Sequence, residues 1–112
     1  MTEKLKAIKE AALGKKYALS FVFVGPSKMK KLNLIYRDIN KPTDILSFPL
    51  SKGEGEIYIS KSEARKEAKK FGRKPENFIE FLFIHGCVHL KGYDHGAKME
   101  SIEAQLRKKF GV

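Results

Sequence analysis

The sequence predicts an α+β fold, with three short strands packed against four or five helices. Three observations carry that reading. Short runs rich in aromatic and β-branched residues occur at Leu19–Val24, Asp44–Phe48 and Glu56–Ser60, as strands require. Apolar residues recur at helical spacing at both ends of the chain and through its last third. Glycine and proline turns separate the two kinds of segment. At 112 residues the chain is the size of one domain, taken here as 1–112.

Residues 2–13 form the first helix, with Leu5, Ile8 and Ala12 on one face and Gly14 closing it. LSFVFV at 19–24 is a buried strand, and Gly25-Pro26-Ser27 turns the chain into a helix running to about Asp38, with Met29, Leu32 and Ile35/Tyr36 on one face. Asn40-Lys41-Pro42-Thr43 is the next turn. The strand DILSF at 44–48 ends at Pro49, which suits a sheet edge or a strand terminus. Gly53-Glu54-Gly55 turns into EIYIS at 56–60. Ser60 or Ser62 caps a basic helix over 61–71, stopped by Gly72. Residues 75–90 carry apolar side chains on nearly all sides, so that helix is buried. A final helix spans 98–110, with Met99, Ile102, Leu106 and Phe110 on one face.

Composition narrows the function classes. With 42% apolar and 11% aromatic residues the chain is no disordered segment. A single cysteine excludes an internally disulfide-stapled scaffold. No run of 18 apolar residues exists, so no helical membrane span is expected. The charged start, MTEKLKAIKE, lacks the apolar core of a signal peptide, and a reducing cytoplasm is the expected location. The net charge is +10, which favours nucleic acid as a partner. Residues 61–74 carry 7 basic and 2 acidic groups, whereas 75–112 carry 5 of each. Lys61, Arg65 and Lys69 line one helical stripe, a track for an RNA backbone or simply a solvated face.

All three histidines fall in His85-Gly-Cys-Val-His89-Leu-Lys-Gly-Tyr-Asp-His95. His85 and His89, four residues apart, share one helix face. Gly92 frees the chain to turn and bring His95 round as a third nitrogen ligand. Three protein ligands and an open position are the pattern of a catalytic metal site. Zinc suits an all-imidazole set, and nickel, copper and iron accept one too. The spacing is that of the metzincin HExxHxxGxxH motif, with one change. Gly86 stands where the peptidases carry their general-base Glu, and a glycine takes no proton. Cys87 reads as a small core residue, and Asp94 as a partner of the site or a surface carboxylate.

HGCVHLKGYDH at 85–95 resembles the HGxLHLxGYDH signature of the YbeY family of bacterial endoribonucleases. LNLIYRDINKPTDILSFP at 32–49 and GEIYIS at 55–60 resemble two further segments of that family in the same order. The resemblance covers roughly residues 19–110. It implies a zincin-like α+β fold with a small, mainly parallel mixed sheet of three to four strands. It implies one Zn2+ per chain on His85, His89 and His95. It also implies Arg37 near the metal cleft, clamping phosphate as a catalytic residue, where the residues alone allow an ion pair with Asp38 equally well. Three departures stand out. Val88 replaces a usual Leu, Asn40 stands where Asp is common, and an extra N-terminal strand of the family is not found.

The implied activity is cleavage of single-stranded RNA in 16S rRNA 3′-end maturation and ribosome quality control. The implied partners are the small ribosomal subunit and a ribosomal protein or GTPase that presents the substrate, with no membrane. Two rival readings remain from the residues: a zinc metallopeptidase-like hydrolase, which the histidine spacing favours, and a non-catalytic ribosome-assembly factor.

Overall fold

The computed structural model describes residues 1–112 as α1 (Glu3–Leu13), β1 (Ala18–Phe23), α2 (Pro26–Arg37), β2 (Ile45–Ser51), β3 (Glu54–Ile59), α3 (Lys61–Lys70), α4 (Pro75–Leu90) and α5 (Ala97–Phe110). The five helices and three strands match the expected α+β class. The sheet order is β1-β3-β2. β1 runs parallel to β3 and β2 antiparallel to it, so the sheet is mixed, with its two pairings of opposite sense.

Strand β2 outruns its expected end. It passes through Pro49 to Ser51, with an irregularity between those residues. Proline has no N–H to donate, and β2 is an edge strand whose outer side makes no such demand. The hairpin turn therefore falls at Lys52-Gly53, and Glu54 and Gly55 join β3.

The two faces of the sheet are covered by different helices. On β3, Ile57 and Ile59 are fully buried. Their partners across the ladder, Ser47 and Ile45, share that face because opposed residues point the same way. α4 lies against it, and α1, α3 and α5 pack around α4 in turn. On the other face, the rings of Tyr36, Phe48 and Tyr58 stand 4.6 and 6.1 Å apart in sequence and tie α2 to the sheet. The main core runs through Leu5, Ile8, Ile57, Ile59, Phe83, Ile84 and Cys87. Each large apolar side chain buried there stabilises the fold by about 1.5–3 kcal/mol.

Local signals agree with this packing. Thr2 caps α1, its hydroxyl accepting from the Leu5 N–H, and Ser60 caps α3 by accepting from the Glu63 N–H. Asp38 ends α2 in the left-handed region at φ 57°. No helix is long and apolar enough to cross a membrane.

Helix α4 packs closely on the sheet at Gly86. A Cβ there would sit 3.0 Å from Ile57 Cδ1 and 3.1 Å from Ile45 Cδ1. The residue that replaces the peptidase glutamate thus serves close packing of helix on sheet.

Candidate metal and phosphate site

The last two turns of α4 carry His85 and His89, half-buried, beside the core face of β2. Gly92 follows at φ 108°, a backbone conformation open chiefly to glycine. The loop it starts returns His95 to the same side. The three imidazoles line one cavity of about 430 Å³. His85 and His95 lie with ring centroids 5.6 Å apart, nearly parallel. The three rings do not converge as they stand, and no group of three His, Cys, Asp or Glu side chains is in metal-ligating geometry.

Two contacts absent from the sequence reading fix the helix-borne histidines. Glu103 Oε1 on α5 lies 3.0 Å from His85 Nδ1. A carboxylate accepts, so Nδ1 donates and Nε2 is left as the free ring nitrogen. Ser47 Oγ on β2 lies 3.0 Å from His89 Nδ1; with the hydroxyl accepting, Nε2 of His89 keeps its lone pair too. Ordering of one ring nitrogen by a carboxylate or hydroxyl is what metal-ligating histidines ordinarily show. The donor chemistry therefore fits a divalent metal of the zinc type.

Both contacts leave a trace in the sequence. Glu103 is a lone carboxylate on the apolar stripe of α5 beside Met99 and Leu106, and it is only 7% exposed. Ser47 is a polar residue on the core-facing side of β2, between Ile45 and Pro49.

Electrostatics point the same way. Burial holds His89 below its ordinary value of 6.5, and the neighbouring His85, His95 and Arg37 add to the effect against Asp94. A neutral imidazole is the ligating form. The folded protein thus binds fewer protons at His89 than the unfolded chain does. Its contribution to stability is present above the ordinary value and is lost as pH falls below it. Thermal melts at about pH 7.5 and about pH 5.5 should show a lower Tm at the acid value, with a smaller difference in His89→Ala. An equal pH difference in both proteins would contradict the assignment.

Arg37 is exposed at the end of α2 and lines the histidine cavity. It makes no ion pair with Asp38 or any other carboxylate. Cys87 is fully buried in the core, and burial pushes its thiol up to about 12. Asp94 is exposed. The basic stripe lies elsewhere. Lys61 Nζ sits 4.4 Å over the Phe23 ring at the end of β1. α3 buries Ala64 and Ala68 and turns Glu67, not Lys61, Arg65 or Lys69, toward the histidines.

Comparison with known proteins gives a consistent result. The profile of the family described as Endoribonuclease YbeY matches residues 1–111. Proteins named Endoribonuclease YbeY are similar to the chain. That of Acholeplasma laidlawii is 38% identical over 90 residues, covering 77% of this chain and 66% of the relative. That of Aquifex aeolicus is 37% identical over 100 residues, covering 83% and 67%. That of Nautilia profundicola is 36% identical over 101 residues, covering 84% and 73%. The chain thus spans about two thirds to three quarters of the length of these relatives. The solution structure of TM1509 from Thermotoga maritima superposes with a TM-score of 0.71 at 29% identity, covering 96% of this chain and 77% of that one.

Proposed function

We propose that this chain, which belongs to the endoribonuclease YbeY family, is a metal-dependent endoribonuclease that cuts single-stranded RNA within one domain. Its setting is 16S rRNA 3′-end maturation and ribosome quality control in the cytoplasm, on the small ribosomal subunit. A ribosomal protein or GTPase that presents the substrate fits that setting. The observation that carries the reading is the meeting of three histidines and an unpaired arginine in one cavity.

His85, His89 and His95 would hold one zinc ion. Bound there, zinc would supply Lewis acidity to a phosphoryl oxygen or to a water. The remaining work falls to the chain itself. Glu103 and Ser47 orient the imidazoles through Nδ1. Arg37 offers a planar fork of donors to the phosphate, a fit that lysine lacks. Arg37→Ala should therefore lose most cleavage of a labelled single-stranded RNA while the metal content stays unchanged. Unaltered cleavage would remove Arg37 from the site.

The orienting contacts have a separate test. Ser47→Ala and Glu103→Gln are expected to weaken zinc binding by about 10–100-fold each, read by competition with a chelating dye. Wild-type affinity in both would show that the contacts are incidental.

Lys61, Arg65 and Lys69 lie outside the cavity and would act at longer range, drawing the RNA backbone toward the protein. Replacing all three with glutamine should lower the slope of log affinity against log salt by about 2, at about 0.7 per phosphate contact on a single strand. An unchanged slope would leave the stripe a solvated face.

The peptidase reading loses support at Gly86. A side chain at that position points at Ile57 and Ile45 of the sheet, where no base could serve.

A further inference from the structure

A second, larger groove borders the histidine cavity. It measures about 850 Å³ and runs between α3 and α5 over the face of α4. His85 and His95 line both spaces, so a chain bound at the histidines has the groove beside it. The volume lies in the range that holds a small ligand.

Aromatic rings shape this groove. Phe71, at the end of α3, stacks on Phe78 with centroids 5.5 Å apart and planes 19° from parallel. Phe78 stacks on Phe81 at 5.5 Å and 15°. Phe78 is buried at 2% exposure, whereas Phe71 is 61% exposed. The outer ring of a three-ring stack thus presents a free π-face in the groove.

The charges select the occupant. Asp44, Glu67 and Glu100 line the same groove, and they repel a phosphate backbone. Carboxylates accept hydrogen bonds from the amino and imino groups of nucleobases. The Arg107 guanidinium in the groove is set 5.4 Å over the Phe81 ring. A flat, uncharged ligand with N–H donors at its edge fits, and a free anion does not.

The geometry points to a nucleobase subsite: one unstacked base of the single-stranded RNA bound at the histidine cavity stacks on the exposed face of Phe71 in the adjoining groove. Stacking on an aromatic side chain is how single-strand binders hold bases without reading sequence. This rests on the RNA reading above and adds where a base of the substrate goes.

The chain has no tryptophan, so Phe71→Trp places a single fluorescent ring on the platform. Titration with a uridine hexamer at low salt should quench that fluorescence, and an abasic ribose-phosphate hexamer should not. Phe71→Ala should bind a labelled uridine hexamer about tenfold more weakly than wild type. Phe71→Leu should be equally weak, because it keeps the apolar contact with Phe78 and lacks a π-face, while Phe71→Trp should bind at least as tightly as wild type. Equal quenching by the abasic hexamer, or wild-type affinity in Phe71→Leu, would overturn the subsite. The quench is read without any cleavage. A wild type that fails to cut RNA therefore counts against the nuclease reading alone. Cleaving protein with unaltered binding in Phe71→Ala counts against the subsite alone.

Discussion

His89→Ala is expected to lower cleavage of single-stranded RNA by about a thousandfold or more, through loss of one of three ligands to the metal. The fold should survive. His89 is half-buried near the end of α4, where alanine is a better helix former than histidine. The structural loss is one hydrogen bond with Ser47 Oγ, worth about 1 kcal/mol. Zinc content per chain after dialysis should fall with the activity. This variant also separates two uses of a metal. Were the ion a folding element, its loss would unfold the protein, since structural zinc contributes folding energy directly. A folded, metal-depleted, inactive His89→Ala is the outcome for a catalytic ion. A folded variant that cleaves like wild type would remove the histidines from the chemistry.

Gly86→Glu should strongly destabilise the fold through α4. The glutamate restores the metzincin pattern in sequence, yet its Cβ would meet Ile57 Cδ1 at 3.0 Å and Ile45 Cδ1 at 3.1 Å. Overpacking of this kind costs about 1–3 kcal/mol. The carboxylate would also be driven between two isoleucines with no partner, and burial of an unpaired polar group adds about 2 kcal/mol or more. A combined loss of about 4 kcal/mol corresponds to a fall in Tm of about 15 °C or more for a domain of this size. Gly86→Ala is the control. Its contacts are with the ends of flexible side chains, and the helix gains about 1 kcal/mol of propensity over glycine, so its Tm should change little. A Gly86→Glu protein as stable as wild type would mean that α4 does not press on the sheet at this point.

Much of this was legible in the sequence, for reasons that differ by element. The helix over 75–90 shows on its own, because an apolar surface on nearly every side requires burial. The histidine cluster shows because i, i+4 spacing and a following glycine are local geometry. The run of β2 past Pro49 did not show. It depends on β2 lying at the edge, a fact about the neighbour and not about Pro49. Glu103 and Ser47 were missed because each acts across the fold, 18 and 42 residues from the histidine it holds. Half of the role of Gly86 is legible locally. The sequence shows a missing base, and only the packing of α4 on Ile45 and Ile57 shows why no side chain larger than a methyl is accommodated there. The stripe of Lys61, Arg65 and Lys69 illustrates the opposite limit, since helical spacing aligned the charges and tertiary packing turned Glu67 toward the site instead.

The central claim, that this cavity cuts RNA with a metal held by three histidines, has one direct measurement. Protein stripped with a chelator is titrated with zinc while cleavage of a labelled single-stranded RNA is followed. Activity should be absent at the start, rise in proportion to added zinc and level off at one ion per chain, with His89→Ala near background and Arg37→Ala far below wild type throughout. Cleavage that persists in the stripped protein, or that both variants share, would contradict the claim.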